Sequence, residues 1–462
     1  MYFAKKNLSI IILLLLIFLA IAGTIFLKIE IGIIIISLSL LIPLIIIDFK
    51  YPLFGFLLTF ILASIVFLIK RFIDIPSGAI VEFQFFFILI GIFSNSIYRN
   101  HLNKKIKTFL SILIIIWIIY QFFQFLNPYS HSILAWLFSL RNIFSFLSLY
   151  IIGATLFKEY KALRYLFITW FVIALVASLY ALFQEFFGLP DFDYNWVTSD
   201  ERRTELHYIQ GRWRKWSFLS DSSSFGMFMS FSFIVFAIIG IESKNWKTKL
   251  VIFPVITLML LSLSFSGTRT AYAMIPLGIL FYIILTIHKK NTLIIALLSF
   301  LSFFIILYIP INNKILIRIR STFSPSTDAS MNVREINRAK IQPYIYSHPI
   351  GGGVNMTGPD GEIFAPHHRL AGFPPDSYYV KIALELGFIG LFIIMLIFIT
   401  AMINAVSNYY NVEMKNKKFI FAALSSGFFA ITIAGYTQES IDQLPYGLVL
   451  YASIAIMSNK IK

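Results

Sequence analysis

The stretch TLIIALLSFLSFFIILYI, residues 292–309, runs for eighteen residues without a charged side chain. A helix needs about 20 mostly apolar residues to cross the hydrocarbon core of a bilayer. Backbone polar groups find no water at that depth, so such a run is stable in lipid only where they are paired internally, as in a helix. Comparable runs recur along the whole chain, which predicts an all-α, polytopic transmembrane helical bundle.

The overall composition agrees with a membrane protein. Of the 462 residues, 58% are hydrophobic and only 13% are charged, whereas a soluble domain carries about 25% charged residues. The chain has no cysteine, which excludes disulfides, thiolate nucleophiles and Cys-ligated metals. Residues 1–26 resemble a signal peptide, but the apolar run continues and further spans follow, so we expect an uncleaved anchor.

We expect twelve to fourteen spans. The fourteen candidates begin near residues 8, 31, 51, 79, 108, 142, 165, 223, 250, 271, 292, 379, 418 and 440. The sixth is ambiguous, because Leu134 to Leu140 could form a separate re-entrant or interfacial piece. The expected division is residues 1–310 with eleven spans, a large loop over 311–378, and further spans over 379–462.

The distribution of cations predicts the orientation. With the N-terminus inside, twenty Lys and Arg fall in inner turns and ten in the short outer loops, and excess positive charge marks the cytoplasmic side. Both termini are therefore expected in the cytoplasm. Eighteen of the inner cations are Lys, whereas twelve of the eighteen others are Arg. Because the Arg fork suits phosphate and carboxylate oxygens, this asymmetry indicates that an anion binds outside.

Two outer loops, about 185–222 and 311–378, contain the candidate site residues except Arg269, which lies in the short turn between the ninth and tenth spans. Arg212, Arg214 and Arg269 lie at expected outer span ends, where a cation faces either a partner or a watery cavity. Snorkelling towards lipid headgroups is the alternative. We favour binding for Arg269, which lies among Ser, Gly and Thr. The neighbouring run SDERRTE (199–205) is expected to pair with itself.

Residues 332–347 in the longer loop have helical charge spacing, which places Arg334, Arg338 and Ile341 on one side. Short helices packed over the membrane mouth are therefore expected. Arg334 and Arg338 join the candidates for anion binding. For Arg318 and Arg320 we favour a solvated basic surface.

Three residues before the twelfth span are candidate proton acceptors: His367, His368 and Asp376. Histidine suits this role near neutral pH, although paired loop histidines are also common as polar surface. Asp376 could instead cap the next helix. Glu385, inside the span, is expected to pair with Lys381 or with an arginine.

Other motifs argue against nucleotide and metal chemistry. The glycines at 351–353 lack the Lys-Ser/Thr of a phosphate loop, and the seven histidines show no metal-ligand spacing. Asp191 and Asp193 form an Asp-x-Asp, a weak indication of a divalent cation. We expect no metal, no cofactor and no nucleic-acid partner.

Four stretches together resemble the O-antigen ligase and O-antigen polymerase superfamily of bacterial lipid-linked glycan transferases. They are GRWRKWSFLSDSSSFG (211–226), SFSGTRTAY (264–272), NVREINRAKIQPYIYSHPIGGGV (332–354) and PDSYYVKIALELGFIGL (375–391). Two positions depart from the family pattern. Asp376 and Ser377 replace the His-Asn of the ligases, and Ser220 to Ser222 replace a Pro-Asn.

The resemblance implies a membrane glycosyltransferase that takes an undecaprenyl-diphosphate-linked oligosaccharide at the periplasmic face of the inner membrane. It implies that Arg212 or Arg214, with Arg269, Arg334 and Arg338, binds the diphosphate. Asp376, His367 or His368 would take the proton of the acceptor, which is a glycan, a lipid or a protein. Transfer would invert the anomeric carbon without a metal.

The substitution at position 376 favours a polymerase over a lipid A-core ligase or a protein O-oligosaccharyltransferase. A transporter or flippase of lipid-linked saccharide is the alternative outside the enzyme class. Transporters often contain inverted repeats and mid-membrane charges. This chain shows no repeat, and its charges gather in the outer loops.

Overall fold

A computed structural model describes residues 43–72, 77–209, 211–311, 313–323, 329–411, 417–439 and 441–461. The helices are α1 (Pro52–Ile69), α2 (Ser77–Ser94), α3 (Ser96–Lys105), α4 (Phe109–Phe122), α5 (Ile133–Leu156), α6 (Tyr160–Phe186), α7 (Asp191–Thr198), α8 (Glu201–His207), α9 (Ser222–Glu242), α10 (Trp246–Ser266), α11 (Arg269–Thr286), α12 (Lys290–Tyr308), α13 (Lys314–Ser321), α14 (Ala329–Ser347), α15 (Gly358–Phe364), α16 (Tyr378–Asn411), α17 (Lys418–Ala434) and α18 (Tyr446–Met457). A 3-10 turn (Phe123–Leu126) extends α4. The strands β1 (Tyr208–Ile209) and β2 (Arg212–Trp213) form a small antiparallel hairpin.

Within the described ranges, nine helices are long and apolar enough to cross a membrane. They are α1, α4 with its 3-10 extension, α5, α6, α9, α10, α11, α12 and α16. α2 and α3 provide a tenth span if taken together, with a bend of 96° between them. α17 and α18 are apolar but shorter, at 17 and 12 residues. The prediction of an all-α polytopic bundle is confirmed.

The predicted spans match the helices closely. The one that begins near residue 8 and most of the one that begins near residue 31 lie outside the described residues, and each of the other twelve coincides with a helix. The interfacial alternative for residues 134–140 is wrong, because α5 is continuous. Ser132 caps its start by accepting a hydrogen bond from the Ala135 amide. Arg141 pairs with Glu82 at 2.8 Å, so its charge does not interrupt the helix.

The core is built around α9, in which 89% of the most apolar 18-residue stretch is buried. α9 packs against α10, α11 and α17, and the Trp170 indole nitrogen donates to the Ser232 hydroxyl at 2.8 Å to join α6 to it. α5 approaches α18 closely at Gly153, where a Cβ atom would lie 2.5 Å from the Ala452 carbonyl oxygen. α12 lies at the periphery, because only 6% of its most apolar 18-residue stretch is buried. Its apolar surface suits contact with lipid.

Polar contacts collect at the two ends of the bundle. At one end Lys289 pairs with Glu242 at 2.6 Å and Asn408 donates to the Met457 carbonyl at 2.8 Å. The other end, which we call the loop-rich end, gathers the described residues of the ranges 186–222, 267–269, 311–378 and 435–445. The loops predicted to be outside meet here, and the turns predicted to be inside meet at the opposite end. The spans therefore alternate as the sequence predicts.

A buried ion pair anchors the first of these loops. Arg71 pairs with Asp193, both side chains are fully buried, and Arg71 also donates to the Ser217 and Leu219 carbonyls at 2.9 Å. Asp193 accepts further hydrogen bonds of 2.7 Å from Tyr180 and Gln184. Asp193 is thus a structural partner, and its interpretation as half of a divalent-cation motif is wrong.

Candidate functional site

Arg214 directly follows β2 of the hairpin and lies against the turn between α10 and α11. Its guanidinium donates to the Ser266 carbonyl at 2.8 Å, to the Thr268 hydroxyl at 2.9 Å and to the Leu206 carbonyl at 2.9 Å. All three partners are neutral. These bonds orient the side chain without forming an ion pair.

The α10–α11 turn depends on Gly267. Its φ of 61° lies in the left-handed region, which glycine adopts without a steric cost. A Cβ atom there would lie 3.1 Å from Nε of Arg318 and 3.4 Å from Nε of Arg214. The turn therefore holds two guanidinium groups side by side.

For Arg318 and Arg320 the sequence predicts a solvated basic surface, but both bind backbone carbonyls instead. Nε of Arg318 donates to the Gly267 carbonyl at 2.6 Å, which brings α13 onto the turn. Arg320 donates to the Ile306, Ile309 and Ile311 carbonyls at the end of α12. The expectation is wrong for both, because unpaired carbonyls at a helix end and at a tight turn attract cations. Only Arg318 joins the site.

Three more arginines extend the group. Arg269 begins α11 and lies within electrostatic range of Arg318 and Arg334. Arg334 and Arg338 lie one turn apart on α14, as predicted. Arg338 donates to the Tyr436 carbonyl at 2.6 Å and lies 4.1 Å from the Tyr436 ring centre. We call Arg214, Arg269, Arg318, Arg334 and Arg338 the arginine cluster.

Among the described residues, two carboxylates interact with members of this cluster. Asp376 interacts with Arg334, and Asp221 with Arg214. Among the described residues, Arg214, Arg318, Arg334 and Arg338 form no ion pair closer than 4 Å. Such crowding of cations raises the energy of the empty site, and a bound anion would lower it.

The electrostatics reflect this crowding. Burial, followed by repulsion from Arg318, lowers the pKa of Arg214 to about 10. Burial also lowers the pKa of Arg318 and of Arg334. All three remain charged at neutral pH, so the cluster is a strongly cationic surface at the loop-rich end.

Arg212 differs from the other predicted arginines. It pairs with Glu185, as does Lys215 at 3.6 Å. It nevertheless lines a small cavity of about 40 Å³ together with Arg214 and Arg318. Its charge is compensated, so it contributes less to the cationic field than Arg214 does.

Asp376 lies at the edge of the cluster. Its φ of 54° is left-handed, and its carboxylate accepts a hydrogen bond of 3.3 Å from Asn337 on α14. The alternative that Asp376 caps α16 is wrong, because the Ser377 hydroxyl accepts from the Val380 amide instead. Capping by its neighbour leaves the Asp376 carboxylate directed to Arg334 and Asn337.

The two histidines lie elsewhere. His368 is buried; its Nδ1 accepts from the Leu370 amide at 3.2 Å and its Nε2 donates to the Tyr129 carbonyl at 3.2 Å. Burial lowers the pKa of His368, and this effect outweighs the hydrogen bond to the Tyr129 carbonyl, which raises it. His367 is exposed. Neither is among the described contacts of the cluster.

The remaining predicted carboxylate, Glu385, is buried in α16 and interacts electrostatically with Lys381, as expected. It accepts a hydrogen bond from the Thr357 hydroxyl, while Lys381 forms its ion pair with Glu439 at 3.2 Å. In the SDERRTE run, Arg203 pairs with Asp200 as predicted. Arg202 pairs across the surface with Glu362.

Fold and site define the class: a multi-pass helical membrane protein with a cationic site at one end of its bundle. Residues 254–395 match the family model described as O-antigen ligase, and the predicted resemblance to that superfamily of glycan transferases is confirmed. The matched range runs from within α10 into α16 and includes four cluster arginines and Asp376. No curated protein matches the chain.

Proposed function

We propose that this protein transfers a glycan from a polyprenyl diphosphate, of the undecaprenyl type, to an acceptor hydroxyl at the loop-rich end. The observation that carries the proposal is the arginine cluster, in which Arg214, Arg318, Arg334 and Arg338 form no ion pair closer than 4 Å with a described residue. A diphosphate carries the charge and the oxygen geometry that guanidinium forks bind best. The family match supports the wider class of membrane glycan transferase.

The reaction needs little beyond positioning and charge stabilisation. The acceptor oxygen forms a bond to the anomeric carbon on the face opposite the diphosphate, and that carbon's bond to phosphate oxygen breaks. The electron pair stays on the diphosphate, where the guanidinium groups stabilise the growing charge. Attack from the opposite face inverts the anomeric carbon.

Asp376 is the best placed of the three candidate bases. It borders the cluster through Arg334, whereas both ring nitrogens of His368 are already occupied by backbone bonds. In this proposal Asp376 takes the proton that leaves the acceptor hydroxyl. The isoprenoid tail would lie in lipid beside α12, which packs against α11 and α13.

The loop-rich end is proposed to face the periplasm, with both termini cytoplasmic in the inner membrane. Polymerisation of repeat units is the favoured activity, because Asp376 replaces the histidine of the ligase pattern. Transfer to lipid A-core or to protein uses the same chemistry. A flippase would need a polar route along the bundle axis, and the 89% burial of α9 argues against one.

Reconstitution in vesicles with a synthetic undecaprenyl-diphosphate oligosaccharide tests the proposal. Release of undecaprenyl diphosphate with glycan growth supports polymerisation, transfer to core lipid supports ligation, and movement without cleavage supports transport. Arg334→Gln should reduce turnover about 10²–10³-fold, as expected for loss of a charge-stabilising donor. Arg202→Gln, at an exposed position outside the cluster, is the matched control. Equal rates for the two variants would contradict the proposal.

The role of Asp376 is tested by Asp376→Asn. Asparagine tolerates the left-handed backbone at this position, so the variant removes the charge without straining the turn. Turnover should fall about 10²–10⁴-fold while binding of donor is retained. His367→Gln and His368→Gln should keep turnover within a few-fold. Loss of activity in a histidine variant alone would move the base to that residue.

A further inference from the structure

A second polar space lies beside the arginine cluster. This cavity of about 370 Å³ is enclosed by α2, α4, α5, α16, α18 and the segments around 354–360 and 439–444. Its volume falls at the lower end of the range for small-molecule sites, about 300–1,000 Å³. A cavity of that size near the outer end of membrane-spanning helices requires a reason, because well-packed bundles leave few voids.

The wall of this cavity has the opposite charge to the cluster. Five carboxylates and one lysine line it: Glu82, Asp360, Glu385, Glu439, Asp442 and Lys381. Lys381 faces three of these carboxylates at once, and Arg141 neutralises another. In a chain with a formal net charge of +16, the cavity therefore has an excess of negative charge.

The wall also offers the groups that bind sugars. Gln121, Asn142 and Asn355 contribute amides, and Trp117, Tyr378 and Tyr451 contribute aromatic rings. Amides and carboxylates pair with hydroxyl groups, and aromatic faces cover the apolar faces of rings. Of the lining carboxylates, Glu385 is buried, whereas Asp442 is exposed.

A short segment separates the cavity from the cluster. Tyr436 contacts Arg338, and Thr437 bonds to Thr270, beside Arg269, at 2.8 Å. A few residues later Glu439 and Asp442 line the cavity. Asp376 and Tyr378 also lie between the cluster and the cavity. Asp376 interacts with Arg334 of the cluster, and Tyr378 lines the cavity.

We infer that this cavity is the acceptor site, and that it selects glycan ends that are uncharged or carry an amine. This inference rests on the proposed function and deepens it. The arginine cluster binds the anionic carrier, and the acidic cavity holds the hydroxyl-bearing acceptor on the other side of Asp376. Acceptors with phosphate or carboxylate groups near the reacting sugar are repelled, which disfavours a phosphorylated lipid core.

Binding of soluble oligosaccharides to the full chain in nanodiscs tests this inference without the donor. The probes are equal-length oligomers of glucose, glucosamine and glucuronic acid. The expected affinity order is glucosamine, then glucose, then glucuronic acid. Asp442→Asn should reduce the ratio of the affinity for the glucosamine oligomer to that for the glucuronic acid oligomer, on the order of tenfold, because one nearby negative charge is removed.

Two further variants keep the test decisive. Ser145→Phe fills the cavity with an uncharged side chain and should weaken binding of every probe, whereas Glu205→Gln, an exposed carboxylate on α8, should change nothing. Equal affinity for glucose and glucuronic acid oligomers, undiminished binding in Ser145→Phe, or no binding of any probe overturns the inference.

Binding of undecaprenyl diphosphate is measured separately on the same preparations. The cavity variants should leave it unchanged, and Arg334→Gln should weaken it. If wild-type protein does not bind this lipid, the proposed function fails, while the oligosaccharide preferences still report on the cavity.

Discussion

Arg318 should be important for binding an anion but should contribute little to the stability of the folded protein. Nε of Arg318 donates to the Gly267 carbonyl at 2.6 Å, and the same turn holds Arg214. A Cβ atom at Gly267 would lie 3.1 Å from Nε of Arg318 and 3.4 Å from Nε of Arg214, so the two Nε atoms lie no more than roughly 6.5 Å apart. Arg318→Gln removes one of these charges and retains a polar side chain of moderate length.

The magnitude follows from two opposing terms. At an effective dielectric constant of about 20, two unit charges at that separation repel by about 2.5 kcal/mol. Loss of one hydrogen bond from a charged donor costs about 1.5–3 kcal/mol. The two terms nearly cancel, so the stability of the folded protein without pyrophosphate should change by no more than about 1 kcal/mol. Its affinity for pyrophosphate should fall about 10- to 150-fold, the range for one charge-assisted hydrogen bond.

The assay is thermal unfolding in detergent with and without inorganic pyrophosphate. Arg320→Gln, two residues away on α13, is the matched control, because its guanidinium bonds the carbonyls at the end of α12. Arg320→Gln should lower the unfolding midpoint and keep the shift caused by pyrophosphate. Arg318→Gln should leave the midpoint nearly unchanged and lose that shift.

The opposite pattern would refute the reasoning. If Arg318→Gln unfolds as easily as Arg320→Gln, and pyrophosphate stabilises both as much as wild type, then Arg318 serves only to fix the turn. The arginine cluster would then lose its link to anion binding.

Three further predictions concern the turn, the topology and pH. Gly267→Ala should destabilise the α10–α11 turn by about 1–2 kcal/mol, the cost of a left-handed residue with a Cβ atom, and the midpoint of thermal unfolding measures it. Because the chain has no cysteine, Arg202→Cys should react with an impermeant maleimide in intact spheroplasts, and Lys244→Cys only after lysis; the reverse pattern would invert the proposed orientation. Burial lowers the pKa of His207 and of His368. As pH falls through 6.5, the unfolded chain therefore takes up protons before the folded chain does, and the stability of the folded state should decrease. Melting curves between pH 7.5 and about 5.5 should show a smaller decrease in the unfolding midpoint for His207→Gln than for wild type.

The sequence located part of the candidate site from charge alone. Arg269 and Arg334 stood out because a cation near membrane depth, or on one side of an amphipathic helix, needs a partner. Arg318 could not be distinguished from Arg320 in the run KILIRIRS, since both are basic residues of one short helix. Only the position of α13 against the α10–α11 turn separates them.

The candidate base shows the same limit. Paired histidines and an aspartate precede α16 within ten residues, and each is chemically able to accept a proton. Backbone contacts made over a long sequence separation, such as that of His368 with Tyr129, occupy the imidazole. No local pattern reports a contact of that kind.

The sequence by itself determined the solvent and the position of most spans, and it predicts their direction and the kind of charge outside them. Those properties depend on the length of apolar runs and on the counts of Lys and Arg, which are local or additive quantities. The tertiary structure alone decided which arginines converge, that Glu185 compensates Arg212, and that carboxylates from distant helices enclose one cavity. Convergence depends on how helices pack, and packing brings together residues that the chain separates by hundreds of positions.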